Sequence, residues 1–183
     1  MTRRIPWFAA ALIALSLPAQ AQTSGNKAKE EKVSNKTEAQ LQFHAAQAAL
    51  YSALAHAEAL EQFAQTPSGD MDMARSYVHT INRDAQGCEG LSVKIGQAVH
   101  SAEKTDSMKT LRKELGEAMK AIDEAQNSVD GHGALGPHAK NANAHLETAM
   151  IALVKLGRAI GSKPLPAPGA MILKEDASKD ASK

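Results

Sequence analysis

The chain has 183 residues, a formal net charge of +1 and a single cysteine, which is enough length for one folded domain and too few thiols for an internal disulfide. Its 21 basic residues barely exceed its 20 acidic ones, so the basic excess that phosphate binding requires is missing and a nucleic-acid partner is not expected. Aromatic residues make up only 3% of the chain, so any core must be built from small and aliphatic side chains.

The N-terminus, MTRRIPWFAAALIALSLPAQAQ, carries Arg3 and Arg4, then an apolar run over residues 5 to 17, then the small-x-small pattern Ala19-Gln20-Ala21. This is the pattern of a secretory signal peptide, too short and wrongly flanked for a lasting membrane span. Residues 1–21 are assigned to it, with the cut after Ala21 leaving Gln22 first. No cysteine follows the apolar run, so no lipid anchor is expected. Losing Arg3 and Arg4 takes the basic count below the acidic one. The mature protein is therefore expected in the periplasm, with no later membrane span.

Residues 22–36 are polar and are read as a flexible segment. The folded region is expected over 37–161, where apolar residues recur three and four apart. The first helix is predicted over about 37 to 65. Thr37 and Gln40 are spaced as a capping box, and its seam is Phe43, Ala46, Leu50, Ala53, Ala57, Leu60 and Ala64. The residues TPSGD end it, with Ser68 or Asp70 capping the next. The second helix is predicted over about 70 to 104, with the seam Ala74, Val78, Ile81, Ala85, Cys88, Ser92, Ile95, Val99 and Ala102. That spacing turns Cys88 inward, as a small apolar residue. Gly87, Gly90 and Gly96 lie within it and are compatible with either a kink or a close helix approach.

The third helix is predicted over about 106 to 130, capped by Asp106, with the seam Met108, Leu111, Leu115, Ala118, Ile122, Ala125 and Val129. The fourth is predicted over about 137 to 161, with Pro137 in its first turn and Gly161 at its end. Its seam is Ala139, Ala142, Leu146, Ala149, Leu153, Leu156 and Ile160. Residues 162–183 form a Pro-rich linker, with Pro164, Pro166 and Pro168, and a charged tail too polar to order itself. The short apolar stretch Ala170-Met171-Ile172-Leu173 interrupts it. The fold class that follows is all-α: an antiparallel up-down-up-down four-helix bundle with a disordered C-terminal tail.

Several chemistries are missing. There is no Cys-x-x-Cys-His for covalent haem, no Glu-x-x-His for a dimetal carboxylate site, and no His-Glu-x-x-His. No phosphate loop or nucleophile-base-acid set stands out, so the chain is read as a non-enzyme. Seven histidines remain. Most sit one residue away from a seam, at the boundary between core and solvent. In a hairpin turning near 67–68, His56 and His79 fall at one level, and His145 lies near it on the fourth helix. His132 and His138 lie towards the same end of the bundle, which also receives Asp70, Met71, Asp72 and Met73. Imidazole with thioether favours copper, with nickel and zinc as alternatives.

The stretches PHAKNANAHLETAM and LAHAEALEQF resemble the histidine-bearing, alanine-rich helices of the periplasmic small metal-binding protein family. The resemblance implies a small exported four-helix bundle that binds divalent metal through His132, His138 and His145. The hairpin geometry adds His56 and His79. With seven histidines this chain is much sparser in them than that family, so one or two sites are implied rather than bulk storage. The expected function is therefore buffering or delivery of a divalent metal ion by a monomer. The alternative is a periplasmic chaperone, adaptor or stress protein that binds another protein. A common volume for the histidines would favour the first, and histidines splayed around the rim the second. Alanine seams argue against a third reading, an internal cavity for a small ligand.

Overall fold

The computed structural model describes residues 20–66, 70–98, 102–131 and 133–166. Four helices occupy them: α1 (Gln20–Phe63), α2 (Met71–Ala98), α3 (Ala102–Gly131) and α4 (Leu135–Ala159), with no strand among the described residues. Residues 1–19, most of the segment expected to be a signal peptide, and the tail from 167 onward lie outside the described residues. The chain divides into two units, Met1–Val33 and Ser34–Lys183, and the bundle belongs to the second.

The periodic apolar residues become the core. Phe43, Leu50, Leu60, Ile81, Ile95, Leu111, Leu115, Ile122, Leu146, Leu153 and Leu156 are fully buried, with alanines of all four helices between them. A large aliphatic or aromatic side chain contributes roughly 1.5–3 kcal/mol when buried. The alanines contribute less area but let the helices approach closely.

Contacts at several heights show that neighbours run antiparallel. On α1 and α4, Ala64 lies beside Gly136 and Phe43 beside Gly157. On α2 and α3, Arg75 bonds Asp130 at one end, and Gly96 lies against Met108 at the other. On α3 and α4, Glu124 meets His138 and Glu114 meets His145. His56 and Tyr77 place their rings 6.0 Å apart between α1 and α2. The result is the expected up-down-up-down bundle.

Some boundaries differ from the sequence reading. α1 begins at Gln20, so Thr37 lies within the helix rather than at its start, and residues 22–36 are helical rather than loose. The four lysines and two glutamates of that stretch favour helix, and extending a helix already nucleated adds one hydrogen bond per residue ordered. Gln40 is released from the capping role and reaches the carbonyls of Ile160 and Gly161 instead. α3 starts at Ala102, which puts Asp106 inside the helix. Asp70 does cap α2, its Oδ1 accepting from the Asp72 N–H at 2.9 Å. Gly87 and Gly90 face open space, so neither marks a close approach.

α4 ends as its glycine suggests. Gly161 adopts φ +75°, a conformation that glycine takes without strain. The Ser162 N–H then bonds the Gly157 carbonyl at 2.8 Å and the Gly161 N–H bonds the Arg158 carbonyl at 3.0 Å. This is a Schellman cap, and it turns the chain back over the bundle.

Gly157 has a second role. A Cβ there would run into the ring of Phe43, which is wholly buried and has nowhere to swing. Gly157→Ala gains about 1 kcal/mol of helix propensity but overpacks a rigid ring, which typically costs about 1–3 kcal/mol and more when relief is blocked. The expected outcome in thermal denaturation is a net loss of stability, partly restored by adding Phe43→Leu.

Cys88 is fully buried, and desolvation, with a smaller contribution from the Glu89 charge, pushes its thiol up to about 12. The reactive thiolate is therefore scarce at neutral pH. Maleimide labelling of the native protein should take hours, against seconds in denaturant. Complete native labelling within minutes would contradict the packing of α2.

Candidate binding surface

The histidines divide by direction rather than by height. His56, half-buried on α1, donates its Nδ1–H to the Ser52 carbonyl of its own helix at 2.7 Å. His138 on α4 donates from Nδ1 to Glu124 Oε2 on α3 at 3.0 Å, and His145 from Nδ1 to Glu114 Oε2 at 2.7 Å. His79 is exposed on α2. His132 lies outside the described residues. His145 does sit near the level of His56, between the Phe43–Gly157 and Ala64–Gly136 contacts. Its ring is nonetheless taken by α3, so it does not bridge to His56 and His79. Among the described residues, no three or more His, Cys, Asp or Glu side chains gather where they would hold a metal ion.

The cluster at the start of α2 is likewise employed locally. Asp70 caps the helix, Asp72 bonds Arg75 at 2.6 Å, and Arg75 reaches on to Asp130 at 3.0 Å. Gln126 also donates to Asp130, at 2.8 Å, and these two donors hold that carboxyl below its usual range. Met71 and Met73 are exposed.

Sequence reasoning passed over a second feature, on α1. Gln47 occupies an inward position beside Ala46 and is fully buried. Its side-chain amide pairs with the backbone of Leu165 in both directions. Nε2 donates to the Leu165 carbonyl at 3.2 Å, and Oε1 accepts from the Leu165 N–H at 2.8 Å. The Tyr51 hydroxyl donates to the same carbonyl at 3.2 Å. Residues 162–166, expected to be free linker, are thus clamped to α1 at Leu165 by Gln47 and Tyr51, just after Gln40 holds the helix end at Ile160 and Gly161. A buried amide left unpaired would cost about 1–3 kcal/mol, so this clamp and the burial of Gln47 require each other.

Beyond the clamp, an open cleft of about 490 Å³ is lined by Ala48, Tyr51, Ser52, Ala55, His56, Leu165 and Pro166. Its walls are mainly apolar, with the small side chains of α1 forming the floor. The ring nitrogen of His56 that is engaged with Ser52 is Nδ1, which leaves Nε2 as an acceptor at the cleft edge. The only sequence signal for this site was a glutamine breaking an apolar face.

No helix among the described residues is long and apolar enough to cross a membrane. No family model, curated protein or solved structure matches the chain.

The Glu114–His145 pair sets a pH dependence. The hydrogen bond from His145 is the main cause holding the Glu114 carboxyl below its usual range, with help from Lys113 and against some desolvation. A depressed carboxylate contributes stability that is complete above its ordinary range, near pH 4.3, and is lost as pH falls through the lowered value. Replacing Glu114 by Gln should therefore cost about 1 kcal/mol near neutrality, as expected for a charge-assisted bond at the rim. Urea denaturation from neutral to acidic pH should show parent and variant converging only in acid. A constant gap across that range would refute the assignment.

Proposed function

We propose that the protein is an exported, non-enzymatic interaction module that binds extended apolar segments of other proteins along α1. The supporting observation is the two-way pairing of Gln47 with Leu165. It fixes Leu165 and the following Pro166 against α1, where they form one wall of a cleft. The cleft beside it offers small apolar walls for the side chains that follow. An apolar groove is a recurring docking place for the apolar side chains of a partner segment. This suits the chaperone or adaptor reading. Export rests on the signal-peptide pattern, and Gln22 at the N-terminus of the mature protein, seen by mass spectrometry, supports it.

The test fills the cleft from its exposed floor. Ala48 and Ala55 are exposed on α1, so Ala48→Arg with Ala55→Arg should leave the fold intact. The mature protein is expected to slow aggregation of a heat-labile enzyme, and the double variant to lose that effect at least fivefold. Equal activity in the variant, or none in the parent, overturns the reading.

Divalent-metal binding is the second reading, favoured by one observation. His56, His138 and His145 each commit Nδ1–H to a carbonyl or carboxylate. Ligating imidazoles are held in the same way, with Nε2 left for the metal. Copper, nickel and zinc all accept such a ligand. Equilibrium dialysis against each metal tests it: bound metal should be lost when His56, His138 and His145 are together replaced by alanine. A parent that binds none of the three rules it out.

A further inference from the structure

We propose that the α1 cleft is occupied by the chain's own segment Met171-Ile172-Leu173, which a partner must displace. The proposal rests on the interaction reading for the cleft and adds its regulation. Its first ground is direction. After the cap at Gly161 the chain advances along α1 in the sense of α1 itself, held by Gln40 at Ile160 and Gly161 and by Gln47 at Leu165. Pro166, the last described residue, already lines the cleft. The chain is therefore aimed into the cleft where the description stops.

The second ground is reach. Ile172 lies seven residues beyond Leu165, a span of roughly 20 Å in the extended form that Pro166 and Pro168 favour. His56 lies nine residues along α1 from Gln47, or about 13 Å on the helix. The tether is thus longer than the cleft, and the apolar segment reaches Tyr51 to His56 when the intervening residues shorten, as a turn at Gly169 allows. The third ground is chemistry. Among residues 167–183 the only large apolar side chains are Met171, Ile172 and Leu173, flanked by glycine and alanine on one side and by lysine and acids on the other. They match a cleft with apolar walls and small floor residues. A tethered segment also acts at an effective concentration of about a millimolar, well above that of a second copy at micromolar protein.

Tyr51 and Tyr77 are the only two tyrosines, so 3-fluorotyrosine gives two fluorine signals, one inside the cleft. The experiment compares three mature chains: the parent, Met171→Asp with Ile172→Asp and Leu173→Asp, and a chain ending at Pro168. A soluble gadolinium chelate reports the exposure of each ring, and circular dichroism checks that helix content is unchanged. Relaxation of Tyr51 by the chelate is expected to rise severalfold in both variants while Tyr77 changes little. Excess synthetic peptide of residues 167–183 should restore protection in the shortened chain, which should also slow aggregation better than the parent. Equal Tyr51 exposure in all three chains overturns the proposal. So does protection in the parent that fades on dilution, which would assign the cleft to a second copy. A protected Tyr51 in a parent whose shortened form still fails to slow aggregation leaves this proposal standing and removes the interaction reading.

Discussion

The ring of Phe43 lies where any side chain at position 157 would have to go, and much of the molecule is arranged around that fact. A glycine there lets α4 approach α1 closely, and the approach brings the end of α4 over the middle of α1. The Schellman cap at Gly161 then turns the chain onto α1 rather than away from it. Gln40 and Gln47 meet that returning chain with their amides. A wider helix spacing would leave Gln47 buried without its partner, at a cost comparable to a lost core methyl group or more. The cleft beside Tyr51 follows from the same geometry, because its far wall is the clamped segment itself.

Elsewhere the bundle uses polar residues at its boundary as local fasteners. Arg75 joins the start of α2 to the end of α3 through Asp130. Glu124 with His138 and Glu114 with His145 stitch α3 to α4 at two heights. Such rim pairs contribute modestly to stability but oppose rotation of one helix against the next. They also fix which ring nitrogen of each histidine remains available. The same side chains can therefore serve the fold while leaving Nε2 for an outside ligand.

The arrangement makes α1 the distinctive face. Its inward side is an ordinary alanine and leucine seam, interrupted by one glutamine that is fully buried. Gln47 forms its bonds with Leu165 after α4 and with Tyr51 of its own helix.

The helical seams were legible in the sequence because burial of apolar groups at helical period is a local, one-dimensional signal. Residues from Phe43 to Leu60, Ala74 to Ile95, Met108 to Val129 and Ala139 to Ile160 fall on the core as their spacing implies. The cap at Asp70, the end at Gly161 and the inward Cys88 were legible for the same reason. Antiparallel pairing even set the heights of His56 and His145 correctly. The sequence could not supply the rotation of boundary side chains, because a residue beside the seam can turn to either neighbour. Ring direction was decided for His56 by the Ser52 carbonyl one turn back on its own helix, and for His138 and His145 by Glu124 and Glu114, partners whose approach exists only once the helices pack. The start of α1 was also decided beyond local signals, since a capping pattern at Thr37 does not stop a helix that can continue through residues favourable to it. The clamp on Leu165 joins residues more than a hundred positions apart. No periodicity in either stretch announces it, and only the close passage of α4 over Phe43 brings the two together.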